Sequence, residues 1–270
     1  MDIRTTIKLN NGIKIPILGL GMWQIPNGKV CEEAVLAGLS AGYRHIDTAA
    51  IYENEESVGN AIRKSNIARK EIFAATKLWN DDHNDVEKAF NESLSRLHLD
   101  YVDLYLMHFP VPERNDSWKV LERIYKSGNA RAIGVSNFTI RHLKELMANA
   151  EVMPAVNQVE FHPYLYQKEL LDFCNKSGIK IEAYSPLTHG HKLNDMKLVE
   201  IAKRYNKSTA QLLIRWGLQH DLIVLPKTAN KNRIAENASV FDFEISREDM
   251  GKLDSFNENL RTCWDPTQVP

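Results

Sequence analysis

Asp47, Tyr52, Lys77 and His108 fall at or just beyond the ends of short apolar runs, and their side chains could together reduce a carbonyl group. A phenol can donate a proton, an ammonium near it can make that donation easier, a carboxylate can hold the ammonium, and an imidazole can orient a carbonyl oxygen. The runs are Tyr43–Asp47, Glu71–Lys77 and Tyr101–His108, apolar and β-branched enough to read as buried strands. A lone buried Tyr or His is more often a satisfied core residue, and a Lys–Asp pair more often a structural ion pair. It is the gathering of ionisable groups at strand ends that points to a site.

The elements that must position these residues show as an alternation. Eight apolar runs begin near Ile17, Tyr43, Ile72, Val102, Ala132, Ala155, Ile179 and Leu222. Between them, Cys31–Ser40, Glu56–Lys64, Val86–Leu97, Ser117–Lys126, Ile140–Ala148, Lys168–Lys176 and Leu198–Tyr205 place apolar residues at three- and four-residue spacing, as amphipathic helices do. Strand followed by helix, repeated around the chain, predicts a (β/α)8 TIM barrel. Thr209–Gln219, ahead of the eighth run, and Arg247–Ser255 read as extra helices, the second of them outside the barrel. Ile7–Ile15 alternates apolar and polar residues around Asn11-Gly12, which predicts a β-hairpin before the barrel. No Pro/Gly/Ser-rich linker, low-complexity tract or internal repeat divides residues 1–270, so one domain is expected. A doubly wound open sheet would want Gly-x-Gly-x-x-Gly after its first strand. Gly19-Leu20-Gly21-Met22-Trp23-Gln24 puts Gln24 where the third glycine belongs, so a nicotinamide cofactor would have to bind without that arrangement.

Composition narrows the partners. Lys and Arg together number 34 against 35 for Asp and Glu, so no global field draws the chain to nucleic acid or to an acidic membrane surface. No apolar stretch nears the ~18 residues a membrane span needs. Met1-Asp2-Ile3-Arg4-Thr5 lacks the basic flank and apolar core of an export signal. Cys31, Cys174 and Cys263 are odd in number and widely spaced, which predicts reduced thiols and a cytoplasmic location. His189 and His191 lie close together without a third ligand at suitable spacing, so they read as loop residues and no metal is expected.

Three motifs in order resemble the aldo-keto reductase family: Gly42–Ala49 continuing through Tyr52 to Glu55–Gly59, then Ala132–Phe138, then Leu225–Thr228 followed by Arg233 and Glu236-Asn237. The resemblance runs along essentially the whole chain. It implies a (β/α)8 barrel, NADPH as cofactor, and a catalytic tetrad mapping onto Asp47, Tyr52, Lys77 and His108. An unperturbed Tyr titrates near ~10 and is a poor acid at neutrality. Lys77 is therefore expected to lower Tyr52's value, with Asp47 keeping Lys77 charged and aimed. Negative charge growing on the carbonyl oxygen would be met by Tyr52 and His108.

By the same resemblance, Ser136, Asn137 and Gln158 hold a nicotinamide amide and Tyr184 stacks on its ring. Gly21, Met22, Trp23 and Asp47, and the run Ser185, Pro186 and Leu187, complete that end. Lys227, Thr228 and Arg233 put two cations and a hydroxyl after the eighth run, where barrels often bind phosphate, and Glu236 and Asn237 resemble adenine contacts. Asn137 could instead cap a helix, Tyr184 could close the core, and the basic residues could form a solvated helix start. Trp23, Trp79 and Phe109 beside Tyr52 and His108 predict an aromatic-walled pocket for a small, partly apolar carbonyl substrate. Phe109 stands where many relatives carry Trp. Pro110–Asp116 and the tail Cys263–Pro266 are short beside the loops of animal steroid and aldose reductases, so an open pocket is expected. The chain most resembles the microbial branch with diketogluconate and methylglyoxal reductases, and a monomer is expected because relatives often are.

Two other functions compete with reduction. The family also contains channel-associated subunits and lens proteins, which would make this a cofactor binder without physiological turnover; the intact tetrad favours the enzyme. A barrel hydrolase could draw on Asp47, Asp103 and Glu160, but it leaves Lys77, Lys227 and Arg233 without a role.

Overall fold

A computed structural model describes every residue from Met1 to Pro270. The hairpin forms first: β1 (Thr6–Lys8) pairs antiparallel with β2 (Lys14–Pro16), Ile7 opposite Ile15. Its turn needs Gly12, whose φ of 90° lies where a Cβ would be strained.

Eight parallel strands follow: β3 (Leu20–Gly21), β4 (His45–Asp47), β5 (Phe73–Leu78), β6 (Leu104–Met107), β7 (Ile133–Ser136), β8 (Val156–Glu160), β9 (Lys180–Tyr184) and β10 (Ile223–Leu225). Each pairs with the next in sequence. The ring is then closed by Val224 N donating to Ile17 O at 2.9 Å and Gly19 N donating to Val224 O at 3.0 Å. This is the expected barrel, and each of the eight apolar runs contains or leads directly into one of these strands.

The helices are α1 (Lys29–Ser40), α2 (Glu55–Lys64), α3 (Val86–Leu97), α4 (Arg114–Ser127), α5 (Ile140–Met147), α6 (Lys168–Lys176), α7 (Met196–Arg204), α8 (Thr209–Gln219), α9 (Lys231–Ala238) and α10 (Arg247–Asp254). None is long and apolar enough to cross a membrane. Helix α9 did not show as a periodic run, because its buried face is only Ile234 and Asn237. Of the neighbours α7 and α8, it is α8 that packs on β10 and on α9, with α7 against α8. The stretch read as additional therefore lies in the layer against the barrel.

Alternation along the strands sorts the interior into two levels. At the N-terminal end, Phe73, Ala75, Leu104, Leu106, Ala132, Val156 and Ile223 form one apolar cluster with Leu9 and Ile15 of the hairpin. The hairpin thus closes that mouth. Two residues further along, the same alternation sets Lys77 after Ala75, His108 after Leu106 and Gln158 after Val156, so polar groups fill the C-terminal level. Packing is tight at Gly19, where a Cβ would lie 2.7 Å from His45 Nδ1 and 2.5 Å from Leu225 Cδ2.

A close approach outside the barrel yields a stability prediction. Gly59 of α2 lies so near the C-terminal end of α3 that a Cβ would run into the Leu97 carbonyl. The obstacle is backbone, which cannot rotate away. Gly59→Ala should therefore cost about 2–3 kcal/mol despite the roughly 1 kcal/mol alanine gains in helix propensity. Urea unfolding measures it, and a variant as stable as the parent would mean that α2 and α3 separate freely.

Candidate active site

The strands' C-terminal ends open onto a cavity of about 760 Å³. Asp47 ends β4, Ser136 ends β7, Tyr184 ends β9, His108 follows β6, and Lys227 lies two residues beyond β10. All of these line the cavity with Gly21, Trp23, Tyr52, Phe109, Asn137, Gln158, Ser185, Pro186, Leu187, Thr228, Arg233, Glu236 and Asn237. Three residues expected at the site do not reach its wall. Met22 is buried in the core, its N–H donating to Asp47 O at 2.9 Å and its carbonyl accepting from Asn54 Nδ2 at 2.9 Å. Lys77 is fully buried beneath Asp47. Trp79 stands behind the wall, edge-on to His108 at 5.4 Å and to Phe109 at 6.0 Å.

Lys77 Nζ donates to Asp47 Oδ1 and to the Thr48 carbonyl, each at 2.7 Å. The other Asp47 oxygen, Oδ2, accepts from Gln158 Nε2 at 2.9 Å. A buried ion pair needs such extra hydrogen bonds to offset its desolvation, and here both partners have them. Tyr52 sits above, in the short turn Ala50–Tyr52 that Glu53 ends at a φ of 55°. Its ring centre is 5.0 Å from Lys77 Nζ and 5.7 Å from the edge-on His108 ring.

The electrostatics correct one expectation. Burial, followed by the Asp47 carboxylate, pushes the Tyr52 phenol well above its ordinary value, so the net shift is upward and not downward. Tyr52 therefore keeps its proton through neutral pH, the state a proton donor must start from. Burial, then Lys77, holds His108 well below the usual imidazole range, so its ring is neutral. Its Nδ1 is buried without a partner, leaving Nε2 as the nitrogen that can meet a ligand. The ring lies nearly parallel to Phe109, 5.0 Å between centres, and Asn137 Nδ2 fixes the His108 carbonyl at 2.9 Å.

Asn137 adopts a left-handed φ of 63°, which Asn tolerates better than most side chains. It is not the cap of α5, which is Thr139. Its Oδ1 accepts from Tyr184 Oη at 2.7 Å, pinning that ring at the wall, and Ser136 Oγ donates to the Gln158 carbonyl at 2.8 Å. At the other end, Arg233 and Glu236 are exposed on α9 and Asn237 is buried. Burial alone lowers Lys227, with no charged partner offsetting it. The α9 N-terminus is capped by Asn230.

Several wall residues had no local signal. His189, read as a loop residue, packs edge-on against Trp23 at 5.1 Å, its Nε2 2.9 Å from Ser185 Oγ and 3.1 Å from Cys263 Sγ. Trp264 reaches Phe109 at 4.8 Å, so the short tail still covers one side of the pocket. The tail is anchored by Glu160, which accepts from Thr262 N at 2.7 Å and Cys263 N at 3.2 Å. Ser208, Thr209 and Ala210, at the start of α8, complete the wall. Glu160 is thus committed to the tail. Asp103 is held by Arg69 at 2.8 Å and Arg131 at 2.7 Å, so the carboxylates a hydrolase would need are not gathered in the cavity.

Fold and site together describe a barrel oxidoreductase, and the chain belongs to the aldo/keto reductase family, whose profile matches residues 17–258. It is 49% identical to the glyoxal reductase of Bacillus subtilis over 99% of this chain and 98% of that one. It is 43% identical to the methylglyoxal reductase DkgA of Escherichia coli K12, over 98% of each. The solved aldo/keto reductase of Brucella melitensis superposes with a TM-score of 0.90 at 44% identity, over 94% of this chain and 99% of that one. A Bombyx mori aldo-keto reductase in complex with NADP does so at 0.92 and 37% identity, over 100% and 99%. The chain is accordingly an enzyme of carbonyl reduction, of the microbial branch expected.

Proposed function

We propose that this enzyme reduces small aldehydes and ketones, 2-oxoaldehydes such as glyoxal and methylglyoxal foremost, with NADPH as cofactor and Tyr52 as proton donor. The observation that carries the proposal is a single cavity wall holding neutral Tyr52 and His108 above the Asp47–Lys77 pair, with Lys227 and Arg233 further along the same wall. The donor set fits the cofactor: two cations and the Thr228 hydroxyl suit a phosphate, and the pinned Tyr184 ring suits a flat heterocycle.

When bound, the cofactor supplies hydride to the carbonyl carbon. His108 Nε2 and Tyr52 Oη orient the carbonyl oxygen and meet the charge that grows on it, an interaction stronger in the transition state than in the ground state. Tyr52 then gives up its proton to that oxygen. Lys77, held by Asp47, sits close enough to the Tyr52 ring to stabilise the phenolate left behind. Trp23, Phe109 and Trp264 form the apolar wall against which a small substrate packs.

Mixing the protein with NADPH and glyoxal or methylglyoxal should consume NADPH, read at its absorbance, with kcat in the usual range of about 1–10³ s⁻¹. Reduction of a nitrobenzaldehyde but of neither 2-oxoaldehyde would sink the substrate assignment. NADPH binding with no carbonyl turnover would return the protein to a cofactor binder.

A further inference from the structure

Below the reactive groups, the barrel encloses a carboxyl that the reduction does not use. Glu182, the middle residue of β9, is fully buried, as is His45 of β4. Gln158 Nε2 donates to Glu182 Oε2 at 2.6 Å and to Asp47 Oδ2 at 2.9 Å, so both hydrogens of its amide are spent on two carboxyl groups. Asp47 is paired with Lys77 and can only accept, so the atom facing it must be the amide nitrogen. Gln158 Oε1 is then left as the amide's free group, and Gln158 lines the cavity.

We propose that Glu182 is a positioning residue that, with Asp47, locks the Gln158 amide so that its oxygen faces the cavity as an acceptor for the N–H of a bound carboxamide. The inference rests on the reading of Gln158 as a contact of the nicotinamide amide. With Glu182 removed, one amide hydrogen loses its partner and Asp47 alone holds the amide, so its oxygen is less firmly aimed at the carboxamide.

Glu182 is built for this place. Burial, then Asp47, pushes it up to about 8, so it stays protonated at neutral pH and puts no second negative charge beside Asp47. Its remaining oxygen, Oε1, lies 3.4 Å from His45 Nε2, and neither atom has another partner. Burial lowers His45 to about 4, so that imidazole is neutral and can face a protonated carboxyl. A glutamine at 182 has the same shape and charge as the protonated acid, with an oxygen for Gln158 and an amide nitrogen for His45.

The test uses cofactor titrations and steady-state kinetics on the full-length protein. Glu182→Leu should raise the NADPH Kd about tenfold, the factor that ~1.4 kcal/mol represents, and leave the KM for the carbonyl substrate unmoved. Glu182→Gln should restore the Kd to within about twofold of the parent. In a Gln158→Leu background, Glu182→Leu should add less than about twofold, because the route through Gln158 is already gone. If leucine is not accommodated, Glu182→Ala carries the same expectations. An unchanged Kd in Glu182→Leu, or a loss that adds in full to that of Gln158→Leu, overturns the proposal. Failure of the cofactor reading itself looks different: the parent would then not bind NADPH.

Discussion

Tyr52→Phe should bind NADPH as the parent does and lose about 10²–10⁴-fold in kcat, the usual contribution of a positioned acid. The substitution is narrow. Phenylalanine keeps the ring that packs against His108 and lies over Lys77, and the hydroxyl it deletes makes no hydrogen bond within the chain, so folding should be untouched. The loss should fall on the chemical step because nothing else in the wall can replace the proton. His108 is neutral, Asp47 is held as the acceptor of Lys77 and Gln158, and Lys77 is buried beneath the wall. The raised Tyr52 value does not weaken this role, since the nascent alkoxide is more basic than a phenolate and draws the proton even from a reluctant donor. Single-turnover measurements separate chemistry from cofactor release. A variant keeping more than about a tenth of the parent's kcat would mean that Tyr52 is not the acid.

The placement of Lys77 and His108 was legible because alternation along a strand is a local property. Lys77 follows Ala75 and Phe73 on one face of β5, and His108 follows Leu106 and Leu104 on one face of β6, so reading every second residue already sets them inside the barrel. What those side chains do to one another was not legible. That Lys77 lies near Tyr52 could be inferred, but not that burial and the Asp47 carboxylate set the direction of the Tyr52 shift. Glu182 was invisible for a related reason. In Lys180–Tyr184 it reads as an ordinary polar position of a strand, and its partners Gln158, Asp47 and His45 come from three separate stretches of the chain. His189 against Trp23 and Trp264 against Phe109 are likewise cross-barrel contacts with no signature in their own segments. Helix α9 was missed on periodicity, although the cation pattern that begins it was recognised.

Those cations carry the second large effect. Replacing Lys227 and Arg233 together by serine should weaken NADPH by about 10²–10³-fold and leave NADH almost unchanged, because only NADPH carries the extra phosphate. Charge-assisted hydrogen bonds contribute about 1.5–3 kcal/mol each, and ~1.4 kcal/mol is tenfold, so two of them reach that range after allowing for non-additivity. Arg233 is exposed, which places its share toward the lower end and makes it sensitive to salt. The preference for NADPH in the parent should therefore shrink between low salt and about 0.5 M, where screening shortens the range of the field to a few ångströms. Lys231 supplies the control. It lies on the same helix but is paired with Glu33 at 2.9 Å and does not line the cavity, so Lys231→Ser should leave both affinities as they are. Fluorescence titration with each cofactor reads all of these. Equal losses for NADPH and NADH in the double variant would show that Lys227 and Arg233 grip the pyrophosphate common to both, and the preference for NADPH would have to come from elsewhere in the wall.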